Sequence, residues 1–307
     1  MKVLQIIIHC LPREIDHLER VLNKLNESKN YIDNGKVVLD ITLNLNDEFT
    51  DWDKSILDKK YFINKFKILE NLSDWTYKNY FLIDENNTCL GINDKRRNSI
   101  RSLSSEITHC MYLDLDLFFS VFNLSYAFHA LNNIQNDYHI LSPQLTKLWD
   151  ESWNPICNKN FTNKDNEFYK TLDPYSIEYL TYNQDSYNVL PINTIKFGGG
   201  WFNIFSANLL KFIDIPDSLG PYGLDDTFVM EASKLMLSKK YDIKQYIIEG
   251  MIVCENIKYT LYSNNPYSDY IYDKSFINNG RDIKQKYRKI SESKFANEIE
   301  KFYKKLL

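Results

Sequence analysis

Two hydrophobic patterns alternate along the first half of the chain. Residues 3–8 form a nearly continuous apolar run, which is typical of a strand buried on both faces. Apolar residues then recur at helical spacing over 15–25, with Pro12 near the start of that helix. The Asn34-Gly35 turn follows, and residues 36–45 have the pattern of a second strand. This order predicts a strand, a helix and a strand.

The same alternation continues through the rest of the sequence. Strands separated by helices of this length are typical of an α/β fold with a mainly parallel sheet. Residues 150–190 have no clear period, so we expect long surface excursions and an irregular second half. The pattern predicts further helices over 51–72, 93–107, 123–134 and 225–237, and further strands over 109–113, 137–142, 194–205 and 245–253.

Composition excludes several classes of protein. With 44% hydrophobic and 15% aromatic residues among 307, the chain has the apolar material that a disordered protein lacks. The net charge of −4 argues against a nucleic-acid binder, which needs a basic surface. Five scattered cysteines without CxxC spacing favour a reducing compartment. No stretch approaches the ~20 apolar residues of a spanning helix, so we expect a cytoplasmic protein.

The C-terminal segment, residues 281–307, differs from the rest in charge. It carries nine Lys or Arg against four Asp or Glu, and its apolar residues fall on one helical face. We expect this basic amphipathic helix to dock on the domain. The alternative is peripheral contact with the anionic inner face of a membrane. The apolar face consists of Phe295, Ile299, Phe302, Tyr303 and Leu306.

Asp114 and Asp116 form a DxD motif directly after the buried strand 109–113. In an open α/β sheet, ligands bind at the carboxyl ends of the strands. Two carboxylates in apolar surroundings are costly unless a cation neutralises them, and hard oxygen ligands favour Mg²⁺ or Mn²⁺. The alternative is that the carboxylates cap the following turn.

Two further groups of candidate site residues lie downstream in the sequence. Three glycines at 198–200 interrupt the predicted strand 194–205, where another molecule could approach the backbone, and Trp201 offers a flat face for a sugar ring. The loop that begins at Gly220 leads into a helix that starts with Asp225 and Asp226. Carboxylates in a first helical turn also stabilise the helix, and that interpretation is compatible with a catalytic one.

The order of these motifs resembles the nucleotide-sugar glycosyltransferases of the GT-A fold. Arg97-Asn98 begins the helix before the DxD strand, and the loop with its acidic pair is similar to the Gly-rich region of the inverting β-1,4-galactosyltransferase-like enzymes. The resemblance implies a GT-A domain over 1–280, with a nucleotide-binding half (1–120) and an irregular acceptor-side half (121–280). Residues 281–307 would form a separate C-terminal helix.

The resemblance also implies roles for individual residues. Asp226 would be the catalytic base and Asp225 the anchor of the acceptor hydroxyl. Because Leu224 and Asp225 stand where Gly and Glu are usual, these two roles could be exchanged. The implied donor-binding residues are His9, Pro12, Asn44, Arg97, Asn98 and Asp114. The implied acceptor-binding residues are Gly199, Gly200, Trp201 and Tyr222, and the implied metal ligands are Asp114, Asp116 and, in place of a usual histidine, Asn256 or Glu255.

The function implied is an enzyme that transfers a sugar from a nucleotide-diphosphate donor, first of all a UDP-sugar, to a glycan or lipid-linked acceptor. The reaction would use Mn²⁺ or Mg²⁺ and invert the anomeric centre. Two alternatives stay open. One is a sugar-phosphate nucleotidyltransferase, which carries a Gly-rich basic signature after the first strand, whereas residues 9–15 contain no glycine. The other is a non-catalytic nucleotide- or glycan-binding module.

Overall fold

A nine-stranded sheet forms the centre of the computed structural model, which describes residues 1–46, 58–83, 91–147, 188–195, 199–255 and 274–307. The strands are β1 (Lys2–Cys10), β2 (Gly35–Asn44), β3 (Lys78–Ile83), β4 (His109–Leu113), β5 (Leu117–Phe119), β6 (Tyr138–Lys147), β7 (Asn188–Ile192), β8 (Trp201–Ser206) and β9 (Ile243–Glu255). The helices are α1 (Ile15–Ser28), α2 (Lys59–Leu72), α3 (Ile92–Arg101), α4 (Asn123–Asn133), α5 (Ala207–Ile213), α6 (Asp225–Ser238) and α7 (Lys274–Lys305).

The strand order is β3-β2-β1-β4-β8-β6-β9-β5, and β7 pairs with β9. Strands β3, β2, β1 and β4 are parallel neighbours, as are β6 and β9. Strand β8 runs antiparallel between β4 and β6, and β5 and β7 are antiparallel to β9. Most of the paired residues lie in the parallel pairings, so the predicted α/β fold with a mainly parallel sheet is confirmed.

Each face of the sheet is covered by helices around a hydrophobic core. Strand β1 contributes side chains to both cores because successive side chains of a strand point to opposite faces of the sheet. Leu4, Ile6 and Ile8 lie on the face covered by α1, α2 and α4. Val3 and Ile7 lie on the other face. That other side is covered by α3, α5, α6 and α7. A strand buried on both faces must be apolar throughout, which explains the continuous run at residues 3–8.

Helix α7 docks on the domain, as expected for its amphipathic pattern. Phe302 is buried, and Phe295, Ile299 and Leu306 pack against the same core as α6. The rings of Phe295 and Phe302 both meet Phe228 edge-on, at centroid distances of 6.2 and 6.3 Å. Of the predicted apolar face, Tyr303 is 37% exposed, but the other four residues pack against protein, so the structure gives the membrane alternative no support. Among the described residues, no helix has the length and hydrophobicity to cross a bilayer.

Several elements differ from the sequence predictions. Helix α3 ends at Arg101 instead of residue 107, where serines compete for the backbone; the Ser102 hydroxyl donates to the carbonyl of Ser99 at 3.3 Å. Strands β3, β5 and β7 and helix α5 were not predicted. Strand β8 begins at Trp201, so the glycines precede the strand instead of interrupting it. Within the predicted 51–72 helix, residues 51–57 lie outside the described part, as does most of 150–190.

Candidate active site

The predicted motifs meet at one edge of the sheet. Strands β1, β2 and β4 are parallel, so the residues at their carboxyl ends lie side by side. His9 and Asn44 come from β1 and β2, and the Asn44 amide nitrogen lies 3.4 Å from His9 Nε2. Asp114 follows β4 directly. This is the edge at which open α/β sheets bind ligands.

Arg96 of α3 joins the DxD motif to the acidic pair. Its Nη2 donates to Asp114 Oδ1 at 2.9 Å, and its Nη1 donates to Asp225 Oδ2 at 2.8 Å. The guanidinium is buried and its carbon lies 4.3 Å from the centroid of the Tyr112 ring. Burial alone would lower the pKa of Arg96, but Asp225 and Asp114 outweigh it and raise that pKa above its usual value. Arg96 therefore holds two motifs that are far apart in sequence within one network.

Gly200, directly before strand β8, leaves room for this network. A Cβ atom on Gly200 would overlap both the Arg96 guanidinium and the Asp114 carboxylate. The Gly200 carbonyl accepts the backbone N–H of Asp114 at 3.0 Å, which fixes the start of the DxD turn. The start of β8 is irregular: Phe202 has a left-handed backbone (φ 62°) and is the extra residue at the register shift between Tyr112 and Leu113. The sequence predicted that another molecule approaches the backbone at these glycines. At Gly200 the groups that approach are the side chains of Arg96 and Asp114.

The two members of the acidic pair lie in different environments. Asp225 is buried and paired with Arg96, whereas Asp226 is half-buried. Asp226 Oδ1 accepts from the Thr227 backbone N–H at 2.6 Å. Burial and the neighbouring Asp225 raise the pKa of Asp226 to about 6, against the opposing effects of Arg96 and the Thr227 hydrogen bonds. Asp226 can therefore accept a proton near neutral pH, while Asp225 is committed to a structural ion pair.

Leu224 stands where the Gly-rich pattern has a glycine, and its backbone adopts a conformation typical of glycine. It precedes α6 with a left-handed backbone (φ 63°), a conformation that favours glycine. Gly223, the residue before it, is also left-handed at φ 87°. The backbone thus has the shape that a second glycine would adopt without strain.

Asp114 and Asp116 are the predicted ligands of a hard cation. Burial raises the pKa of Asp114 to about 7; Arg96 opposes the shift and the charge of Asp116 adds to it. The described part of the chain contains no group of three His, Cys, Asp or Glu side chains that could enclose a metal ion. Two carboxylates nevertheless fit Mg²⁺ or Mn²⁺, whose other positions go to water and substrate phosphates. Asn256, the predicted third ligand, lies outside the described residues, and the Glu255 side chain is not described.

Among the predicted donor residues, His9 and Asn44 lie together, and Pro12 begins a short 3₁₀ helix (Pro12–Glu14) just after β1. Burial lowers the pKa of His9 to about 4, so the imidazole is neutral at physiological pH. The roles of these three residues stay predictions.

Arg97 and Asn98 were predicted to bind the donor, but they lie on other faces of α3 than the one that contacts the DxD motif. Arg97 donates from Nε and Nη2 to the carbonyls of Ile215 and Pro216 at 3.1 and 2.9 Å, so its guanidinium fixes the loop before α6. Asn98 is exposed on the outer face of α3. The neighbouring Arg96 is the residue that reaches the DxD motif.

On the predicted acceptor side, the Gly199 carbonyl accepts from the Asn203 amide at 2.7 Å. Tyr222 lies half-buried in the loop that precedes α6. Trp201 begins β8, and its side chain is not described. Asn93 of α3 was not predicted, yet it is fully buried and its amide donates to the carbonyl of Gly223 at 3.0 Å. Asn93 thereby ties α3 to the loop that leads into the acidic pair.

Comparison with known proteins gives distant structural likeness only. No protein-family model and no curated protein sequence matches the chain. Residues 1–349 of S. aureus TarS superpose with a TM-score of 0.45 at 11% identity, covering 85% of this chain and 62% of that one. The same fragment in complex with UDP-GlcNAc gives a TM-score of 0.46 at 11% identity, covering 97% and 72%. The 4-diphosphocytidyl-2C-methyl-D-erythritol synthase of Anaerococcus prevotii gives 0.41 at 12% identity, covering 92% and 96%.

Proposed function

We propose that the chain is a GT-A-type glycosyltransferase that transfers a sugar from a nucleotide-diphosphate donor to an acceptor hydroxyl with inversion. The observation that carries the proposal is the Arg96 bridge. It brings Asp114 of the DxD motif and Asp225 of the acidic pair onto one guanidinium at the carboxyl edge of the sheet. The bridge sets the acidic pair beside the DxD turn, which a reaction between a donor at the DxD motif and an acceptor activated by the acidic pair would need.

The proposed reaction is a single displacement. Asp226 accepts the proton of the acceptor hydroxyl while the oxygen forms a bond to the anomeric carbon and the bond to the donor diphosphate breaks. Its raised pKa suits it to this role, and a positioned general base contributes about 10²–10⁴-fold to a rate. Asp225 and Arg96 hold the first turn of α6, and therefore Asp226, beside the DxD turn. Asp225 acts in this scheme as a positioning residue.

The donor would lie across the ends of β1, β2 and β4. His9 and Asn44 would face the nucleoside, and the diphosphate would lie toward Asp114 and Asp116. We propose that Mn²⁺ or Mg²⁺ binds these two carboxylates; when bound, it would neutralise charge that develops on the leaving diphosphate. The acceptor, a glycan or a lipid-linked sugar, would enter from the side of Tyr222.

Asp226→Asn tests the role of the base, and Glu231→Gln is the matched control. Glu231 lies on the same helix, its side chain is 41% exposed, and it pairs with Lys234 near the surface. A panel of nucleotide sugars, beginning with UDP-sugars, is screened for donor binding by calorimetry and for donor turnover by release of the nucleoside diphosphate. We expect Asp226→Asn to keep donor affinity and to lose about 10²-fold or more in turnover, with Glu231→Gln unchanged.

The alternatives give different results in the same experiment. A non-catalytic binding module would bind a donor without turning it over in any variant. A nucleotidyltransferase would release pyrophosphate from a nucleoside triphosphate and a sugar phosphate. Equal turnover by wild type and Asp226→Asn would refute the assignment of the base.

A further inference from the structure

Arg20 of helix α1 binds the backbone of the DxD turn. Its Nη2 donates to the carbonyl of Leu115, the residue between the two aspartates, at 2.8 Å. The same guanidinium lies over the ring of Phe118 in β5, with its carbon 4.1 Å from the ring centroid. A guanidinium is planar and rigid, so stacking and hydrogen bonding together define its direction. Arg20 therefore fixes the Leu115 carbonyl in both position and orientation.

The DxD turn is held from both faces of the sheet. Leu115 and Leu117 are buried in the core that α1, α2 and α4 cover, and Arg20 reaches the turn from this side. Asp114 is bound at 2.9 Å by Arg96 of α3, which belongs to the opposite face. The two arginines act on different groups, since Arg96 binds a side chain and Arg20 binds the backbone.

The Leu115 carbonyl belongs to the peptide group that leads into Asp116. Because a peptide group is planar, holding its oxygen also sets the direction in which the chain enters Asp116. The strand that follows, β5, has three residues, which pair with β9. Arg20 contacts the turn before this short strand and the Phe118 ring within it. It therefore helps to set the backbone from which the Asp116 side chain projects.

We propose that Arg20 is a positioning residue of the donor site, which directs the Asp116 carboxylate toward a divalent cation by holding the Leu115 carbonyl. This inference rests on the proposed function, in which Asp114 and Asp116 bind Mn²⁺ or Mg²⁺. Groups that orient a metal ligand without touching the metal typically change metal affinity or activity by about 10–100-fold when they are removed. Arg20 would act in this way, through the backbone of the turn.

The test measures the affinity for Mn²⁺ directly, from the loss of the electron paramagnetic resonance signal of the free ion. Titrations use the protein alone and the protein with UDP, CDP, GDP or ADP. The variants are Arg20→Gln and the conservative Arg20→Lys, which keeps a cationic donor. The matched control is Lys24→Gln, which removes a positive charge one turn along α1, where Lys24 pairs with Glu27 at 3.2 Å. Thermal unfolding shows that each variant is folded at the temperature of the titration.

We expect Arg20→Gln to weaken Mn²⁺ binding about tenfold or more, and Arg20→Lys to recover part of the loss. Lys24→Gln should bind Mn²⁺ as the wild type does. Calorimetry in the presence of chelator measures the affinity for the nucleoside diphosphate without metal. This affinity should be unchanged in all three variants, because Arg20 acts through a metal ligand.

The other results overturn the inference in distinguishable ways. If Arg20→Gln is less stable but binds Mn²⁺ like the wild type, Arg20 only stabilises the fold, and the proposed function stands. Equal weakening by Lys24→Gln would reduce the effect to long-range charge. A loss of diphosphate affinity in chelator would mean that Arg20 contacts the donor itself. If the wild type binds no Mn²⁺ with any nucleotide, the proposed metal site fails together with this inference, and turnover of a donor in chelator would show that sugar transfer proceeds without it.

Discussion

Asp225→Asn tests the central feature of the site, the buried ion pair between Arg96 and Asp225. The two residues are 4% and 3% exposed and are joined by a 2.8 Å hydrogen bond. Removing one partner of a buried pair costs ~3–5 kcal/mol, because the other charge is left uncompensated. Arg96 keeps Asp114 and an amide oxygen can still accept a hydrogen bond, so we expect a loss of about 3 kcal/mol in the free energy of unfolding.

Asp214→Asn is the control for this change. Asp214 also pairs with an arginine of α3, Arg101, through two hydrogen bonds of 2.9 and 3.0 Å. Both side chains are more than 40% exposed, so water and salt screen the pair and its loss should cost below ~1 kcal/mol. Asp214 has a positive φ of 52°, and asparagine has nearly the same shape as aspartate, so the substitution adds little backbone strain.

Urea denaturation followed by tryptophan fluorescence and circular dichroism measures both changes. A midpoint shift at constant slope gives the change in unfolding free energy. If Asp225→Asn costs no more than Asp214→Asn, then Arg96 and Asp225 behave as a surface pair. The division of labour between Asp225 and Asp226 would then lose its basis.

Three further predictions concern pH and close packing. The proposed base, Asp226, has a pKa raised to about 6 and must be ionised to accept a proton. The pH profile of turnover should therefore be flat above pH 7 and fall about tenfold per pH unit below pH 6; an unchanged rate at pH 5 would contradict this. His139 is buried, and its Nε2 lies 2.9 Å from Nε2 of His109. Burial lowers the pKa of His139 to about 4, so as the pH falls the unfolded chain is protonated at this histidine before the folded protein is. The free energy of unfolding should therefore decrease by about 2 kcal/mol between pH 7 and pH 5. His139→Gln should remove that part of the pH dependence in urea titrations, and an unchanged slope would refute it. Gly200→Ala should displace the Arg96–Asp114 pair and lower stability by ~1–3 kcal/mol together with donor affinity, as measured by urea titration and calorimetry; wild-type values for both would contradict the close approach.

Local patterns predicted an element correctly where they showed which residues are buried on each of its faces. Strand β1 was predictable because its apolar run admits only a strand that is buried on both sides. Strand β3 was missed because it lies at the edge of the sheet and leaves Phe81 52% and Leu82 38% exposed, so burial imposes no clear alternation there. The start of β8 depends on the Gly200–Asp114 hydrogen bond, a tertiary contact that no local pattern reports.

The motifs of the site could be predicted from the sequence, but the contacts between those motifs could not. The motif singled out Arg97, yet the rotation of α3 on the sheet decides which arginine enters the site. Arg96 shares a helical face with the buried Ile100, four residues on, whereas Arg97 shares a face with Asn93, which binds the 221–223 loop. The core contact of Ile100 could have indicated this rotation, since it turns Arg96 toward the sheet.

No comparable signal exists for the position of α7. Its sequence has the pattern of a basic amphipathic helix, and its place beside the loop before α6 follows from the contact of Ser291 with the carbonyl of Tyr222. Sequence spacing specifies which face of α7 is apolar, but the position of the helix along the domain is set by that polar contact and by the packing of Phe295 and Phe302 on Phe228. The docked position of α7 therefore follows from tertiary contacts that its own sequence does not indicate.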